Sequence, residues 1–182
     1  MSKSTVFSSS KTFYLCSIAV LSALSFVFNA FAINVTQEIS LAFTYIVPFI
    51  AGVFLGPVAG FSVGVIGDII GCIVAPKGAF MPTLTLSCGL MGVLPWLVFA
   101  CFKKFPKYLK IVLSFILVFL VCTVLINTTT FYVAFSPKAD YFSYLVSRNM
   151  FQIIVVAINC GITCLLFKPI QMVFEKYGYQ EK

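Results

Sequence analysis

The stretch that most constrains this chain covers residues 55–99, LGPVAGFSVGVIGDIIGCIVAPKGAFMPTLTLSCGLMGVLPWLVF. Two glycine-rich apolar segments flank a short link, A-P-K-G-A-F-M-P at 75–82. In the first segment Gly56, Gly60 and Gly64, then Gly67 and Gly71, recur at every fourth position. That spacing strips side chains from a helix face and lets a neighbouring backbone approach closely, as helices do in a bilayer. Asp68 lies inside the same segment, where an ionisable group is costly and needs a partner or a cavity. The pattern predicts two packed membrane helices joined by a ligand-facing loop that holds Lys77 between two prolines.

Composition extends this reading to the whole chain. Of 182 residues, 61% are hydrophobic and only 9% charged, and the mean hydropathy is +1.09. So little charge over this length excludes a soluble domain and predicts an all-α integral membrane protein. About 20 apolar residues cross the hydrocarbon, so the chain has room for roughly six crossings and no extramembrane domain. We therefore expect a single membrane domain over 1–182, with a serine-rich tail at 1–11. The expected helices fall at 12–32, 41–55, 58–74, 83–102, 111–134 and 141–167. The run at 12–32 resembles a secretory signal, with A-F-A at 30–32 like a cleavage site, but its apolar core is long and we read it as a retained helix. Pro48 is expected to interrupt the short second helix, and Gly56-Pro57 to turn the chain into the third.

Charge sets the expected orientation. The net charge of +7 is concentrated beside apolar segments, which reads as an orientation signal rather than a nucleic-acid surface. Six crossings place Lys3, Lys11, Lys103, Lys104, Lys107, Lys110, Lys168 and Lys176 on one side, and the positive-inside rule makes that side and both termini cytoplasmic.

Seven cysteines lie in apolar segments without a C-x-x-C pair, and there is no histidine, which argues against a zinc site or a disulfide framework. The chain has no G-x-S-x-G, P-loop or paired carboxylates at motif spacing, so it reads as a binding subunit and not an enzyme. No cofactor is expected in this chain.

Polar residues collect toward the outer side. In the sixth run Arg148, Gln152, Asn159 and Thr163 share a helical stripe, and Thr123, Asn127 and Thr130 share another in the fifth. For the threonines and Asn159 we favour helix-to-helix bonding. A buried arginine instead requires a pocket or an acidic partner, and Asp68 or Asp140 is the competing internal partner for Arg148. Gln37 and Lys77 lie on the outer links. Trp96 follows Pro95 and fits a pocket wall or a membrane interface equally well. Ala19 and Ala23 form a small-xxx-small pair in the first helix.

The run FLGPVAGFSVGVIGDIIG followed by PKGAFMPTLTLSCGLMGVLPW resembles the substrate-binding S components of energy-coupling factor (ECF) vitamin transporters, most of all their folate-specific branch. The A-V-L-S-A segment at 19–23 is similar to that family's A-x-x-x-A motif. The resemblance implies a six-helix bundle with cytoplasmic termini in a bacterial, Gram-positive cell membrane. It implies vitamin binding under the outer links, and docking through helix 1 on a transmembrane coupling subunit that carries two ATPases, which use the ATP. Folate has a flat pterin, an aromatic linker and a carboxylate tail. It would be met by Arg148 and Lys77 as cations, by Asn149, Gln152, Asn127 and Gln37 as edge readers, and by Trp96 as a wall. Riboflavin or another vitamin is the alternative ligand. A structural or assembly membrane protein with no small ligand is the alternative class.

Overall fold

The structure, a computed structural model, describes residues 3–30, 33–34, 40–41, 43–76, 80–135 and 140–176. Its first helix, α1 (Lys3–Ala30), starts well before the apolar run does. No proline or glycine lies between Lys3 and Thr12 to stop it. Hydropathy marks only the stretch able to cross a membrane, Thr12–Ala30, so the segment expected as a tail is helical from Lys3 onward. Two short strands follow, β1 (Ile33–Asn34) and β2 (Ser40–Leu41), antiparallel with Ile33 opposite Leu41.

The second helix is shorter than expected. α2 (Ile46–Leu55) begins after Leu41 has joined β2, and Pro48 sits in its first turn. A proline there removes an N–H that has no intrahelical partner, so Pro48 opens this helix instead of interrupting it. Ten residues extend about 15 Å, about half the thickness of the hydrocarbon. Nine of the ten are buried, so α2 is wrapped by its neighbours on every side.

Gly56 ends α2 with φ of 100°, a conformation that favours glycine, and Pro57 then starts α3 (Pro57–Val74). α4 (Pro82–Cys101) also starts on a proline and carries buried Pro95 within it. α5 (Lys107–Val118), a π-helical stretch (Phe119–Asn127) and α6 (Thr128–Phe135) make one continuous rod. α7 (Tyr141–Lys176) continues through Pro169 past the expected end at 167, and the Asp140 carboxylate accepts the Ser143 backbone N–H at its start. Among the described residues, five helical spans are long and apolar enough to cross a membrane, and α2 is a shorter sixth apolar helix.

The glycine pattern acquires specific neighbours. A Cβ on Gly52 would overlap the Gly92 carbonyl oxygen, and one on Gly92 would overlap the Gly60 backbone. A Cβ on Gly64 would overlap the Cys88 carbonyl. Here α2, α3 and α4 touch backbone to backbone. The second glycine set turns to α1, with Gly67 against Ser25 and Gly71 against Asn29. α3 is therefore the central helix of this half, clamped on two faces by two different glycine rows.

The larger apolar core joins α2, α4, α5 and α7. Phe49 stacks on Phe115 at 5.2 Å and meets Phe99 edge-on at 6.3 Å, while Phe54 stacks on Phe174 at 4.9 Å. In a bilayer such packing, not expulsion from water, holds helices together.

Candidate functional site

Asp68 comes first, because it was the competing partner for Arg148. Its carboxylate accepts the Thr85 hydroxyl at 2.7 Å, the Asn29 amide at 3.4 Å and the Cys88 thiol at 3.6 Å. The three donors come from α1 and α4, so Asp68 ties α3 to both neighbours. Asp140 serves the start of α7. Neither acid forms the internal pair with Arg148.

Arg148 lies about 10 Å along α7 from Tyr141 and is only 5% exposed. Asn149 at 6%, Gln152 at 7%, Asn159 and Thr163 are buried with it, while Phe151, Ile153, Ile154 and Ile158 between them are exposed. One face of α7 is thus polar and inward, as the stripe predicts. The Arg148 guanidinium donates from Nη1 to Thr128 Oγ1 at 3.1 Å and stacks 4.4 Å from the Phe131 ring centroid on α6. Asn149 Nδ2 donates to the Leu145 carbonyl at 2.8 Å and to Thr128 Oγ1 at 3.4 Å. Thr128 in turn donates its hydroxyl to the Thr123 carbonyl at 2.8 Å. The Thr123 side chain meets the Tyr45 hydroxyl at 3.0 Å, which brings the residue just before α2 into the same network. At the edge, Thr130 donates to Thr83 at 3.1 Å and ties α6 to the start of α4.

Thr128, Tyr45 and Phe131 are the members that sequence reasoning missed. A regular helix places Asn127 in line with Thr123, which is how the sequence stripe was drawn. The π-helical stretch bonds five residues apart instead of four, so Thr128 takes the place beneath Thr123. The run T-T-T at 128–130 after an asparagine was the only local signal.

Two buried amide oxygens have capacity to spare, and that of Asn149 lies in the cluster. Asn127 Oδ1 and Asn149 Oδ1 are buried and have no hydrogen-bond partner among the described residues. Buried amide oxygens of that kind are costly unless a partner arrives. With the guanidinium on the same Thr128 oxygen, Asn149 Oδ1 makes an acceptor next to a cation, suited to a polar, partly anionic guest.

The remaining expected residues divide. Gln37 and Lys77 lie outside the described residues. Trp96 is 38% exposed and stands about 21 Å along α4 from Pro82, away from the Arg148 network, an exposure that fits the interface reading. Ala19 and Ala23 are exposed on α1, whose buried face carries Ser22 and Ser25. Thr123 and Thr130 make the bonds between elements expected of packing residues, while Asn159 donates to the Val155 carbonyl of its own helix at 2.8 Å.

A bundle of membrane-length apolar helices that shields one cation-bearing polar cluster defines a membrane protein of the solute-binding kind. Residues 13–167 match the family model for "ECF transporter, substrate-specific component", and the chain belongs to that family, whose members are transporter components and not enzymes. Among curated relatives, a Folate transporter FolT from Clostridium novyi (strain NT) is 32% identical over 112 residues, 62% of each chain. A protein of Mycoplasma pneumoniae, "Uncharacterized protein MG313 homolog", is 52% identical over 50 residues, 28% of this chain. The aligned region spans 62% of the first relative's length and 18% of the second's.

Two solved structures share the fold. The crystal structure of FolT bound with folic acid has a TM-score of 0.71 at 23% identity, over 82% of this chain and 90% of that one. The S component of a bacterial ECF transporter has a TM-score of 0.66 at 20% identity, over 90% and 98%.

Proposed function

We propose that this chain captures folate at the outer face of a bacterial cell membrane and delivers it for ATP-driven uptake. The observation that carries this is the Arg148 cluster. A buried guanidinium and the buried Asn149 amide share the Thr128 hydroxyl oxygen, and Asn149 Oδ1 has no partner among the described residues. A pterin edge offers N–H donors to such oxygens, and a glutamate tail offers carboxylates to a cation. Gln152, one turn further along α7, adds a further amide. Lys77 and Gln37 on the outer links belong to the same proposed set of contacts. The likeness to a folate transporter and to a FolT crystallised with folic acid points the same way.

In this reading the chain is one membrane domain of six crossings in a Gram-positive cell. Both termini are cytoplasmic, because Lys103, Lys104, Lys107, Lys110 and Lys168 gather at one end. A transmembrane coupling subunit docks on the exposed Ala19/Ala23 face, and two ATPase subunits hydrolyse the ATP. No cofactor is held in this chain.

Calorimetry on the purified protein without ATP, titrated with folate, riboflavin, pantothenate and biotin, tests the ligand. Saturable heat with folate alone is expected. Saturable heat with riboflavin and none with folate would transfer the same site to the alternative vitamin. Heat with none of the four would favour a protein that has no small vitamin ligand.

A further inference from the structure

A second site lies at the other end of the rod from Arg148. A cleft of about 320 Å³ opens between the first turn of α5 and the last turns of α7, lined by Lys107, Tyr108, Phe167, Lys168, Gln171 and Met172. It stands about 30 Å along the α5–α6 rod from Thr128, so it is separate from the Arg148 network. We propose that this cleft binds an anionic phospholipid, with the two lysines on its phosphate and the apolar wall on the first part of its acyl chain.

Three observations carry the proposal. The first is charge: two lysines from two different helices line the cleft, and none of the six lining residues is acidic. The second is chemistry. Phe167 is buried while Tyr108 and Met172 are exposed, and all three line the cleft, so cations and apolar surface share one recess. A free phosphate would leave the apolar wall uncovered, and a neutral lipid would leave the lysines without a counterion. An anionic amphiphile satisfies both halves. The third is depth. Lys168 is 27 residues beyond Tyr141 on α7, about 40 Å along the helix, whereas the hydrocarbon core is about 30 Å thick. With Tyr141 at one edge of the hydrocarbon, the cleft lies at headgroup level on the other side.

Within it, Lys107 Nζ donates to Gln171 Oε1 at 3.0 Å. That bond spans α5 and α7 and holds the Lys107 ammonium at the mouth, with two further protons to donate to a phosphate. A lipid seated there would bridge the two helices on the side opposite the polar cluster.

Native mass spectrometry of the purified full chain in detergent tests this. Equal amounts of phosphatidylglycerol and phosphatidylcholine are added, and the lipid retained is read directly. About 25-fold preference for phosphatidylglycerol is expected, from roughly fivefold for each of the two lysines near an anionic headgroup. The double variant Lys107→Gln/Lys168→Gln should bring the two lipids to parity, and Lys107→Arg/Lys168→Arg should keep the preference. Lys103→Gln/Lys104→Gln, which leaves the cleft intact, should also keep it. Met172→Trp should reduce phosphatidylglycerol retention by filling the acyl slot while both lysines remain. Any of three results overturns the site: preference retained by the Lys107/Lys168 glutamine variant, equal loss in the Lys103/Lys104 variant, or displacement of the lipid by excess inorganic phosphate. None of these variants touches the Arg148 cluster, so the outcome is independent of which vitamin binds.

Discussion

Arg148 shows how one residue is made tolerable inside an apolar bundle. Its guanidinium is given a hydroxyl oxygen and an aromatic face, and Thr128 passes its own proton on to the Thr123 carbonyl. That donation makes the Thr128 oxygen a better acceptor, and the network strengthens as a unit. On the proposed reading, Arg148→Ala weakens folate binding at least tenfold in calorimetry, because a charge-assisted hydrogen bond contributes about 1.5–3 kcal/mol. The variant should remain a helical, monodisperse bundle by circular dichroism. Thr128→Val is the sharper probe, since it keeps the shape and removes only the shared acceptor. It should lower affinity several-fold while Arg148 is still present. Unchanged affinity in both variants would leave the network a packing device.

At the scale of elements, the glycines decide which helices touch. Gly92 lies against the Gly60 backbone, and a backbone cannot swing aside as a side chain can. Gly92→Ala should therefore destabilise the α2–α3–α4 contact by about 1–3 kcal/mol, seen as a lower unfolding midpoint in detergent. Gly161 on α7 is the control, because a Cβ there meets nothing within 4 Å. Gly161→Ala should leave the midpoint unchanged or raise it, by at most about 1 kcal/mol of helix propensity. Equal effects of the two substitutions would mean that backbone approach is not what holds these helices. Asp68 reinforces the same joint by accepting from α1 and α4 at once.

For the whole molecule, the polar cluster and the exposed face of α1 are separate surfaces with separate proposed tasks. Ala19→Trp or Ala23→Trp adds bulk on a face that is exposed, so ligand binding by the isolated protein should stay near normal. The same substitutions should abolish ATP-dependent folate uptake in vesicles that contain the coupling subunit and ATPases, because a clash cannot relax between close-packed helices. Uptake that survives both changes would remove α1 as the docking face. Loss of ligand binding and of expression would mean that α1 packs differently from the structure described here.

Much of this was legible in the chain itself. Scarce charge and long apolar runs required a helical membrane bundle, since only internally bonded backbone is stable in hydrocarbon. The four-residue glycine spacing required close helix contacts, and the buried stripe on α7 was readable from helical period alone. The segment G-P-x-x-G…D-x-x-G followed by P-T-L-T-L carried the family resemblance that the comparisons bear out. What the sequence could not contain was the pairing. Periodicity says that a face is bare but not which helix meets it, so tertiary structure alone assigned Gly60 to Gly92 and Gly71 to Asn29. It alone separated Asp68 from Arg148, because a carboxylate's partner depends on which helices lie adjacent. It also set the register of the fifth span: the π-helical stretch is a local widening that no period of 3.6 anticipates, and it put Thr128 beneath the arginine.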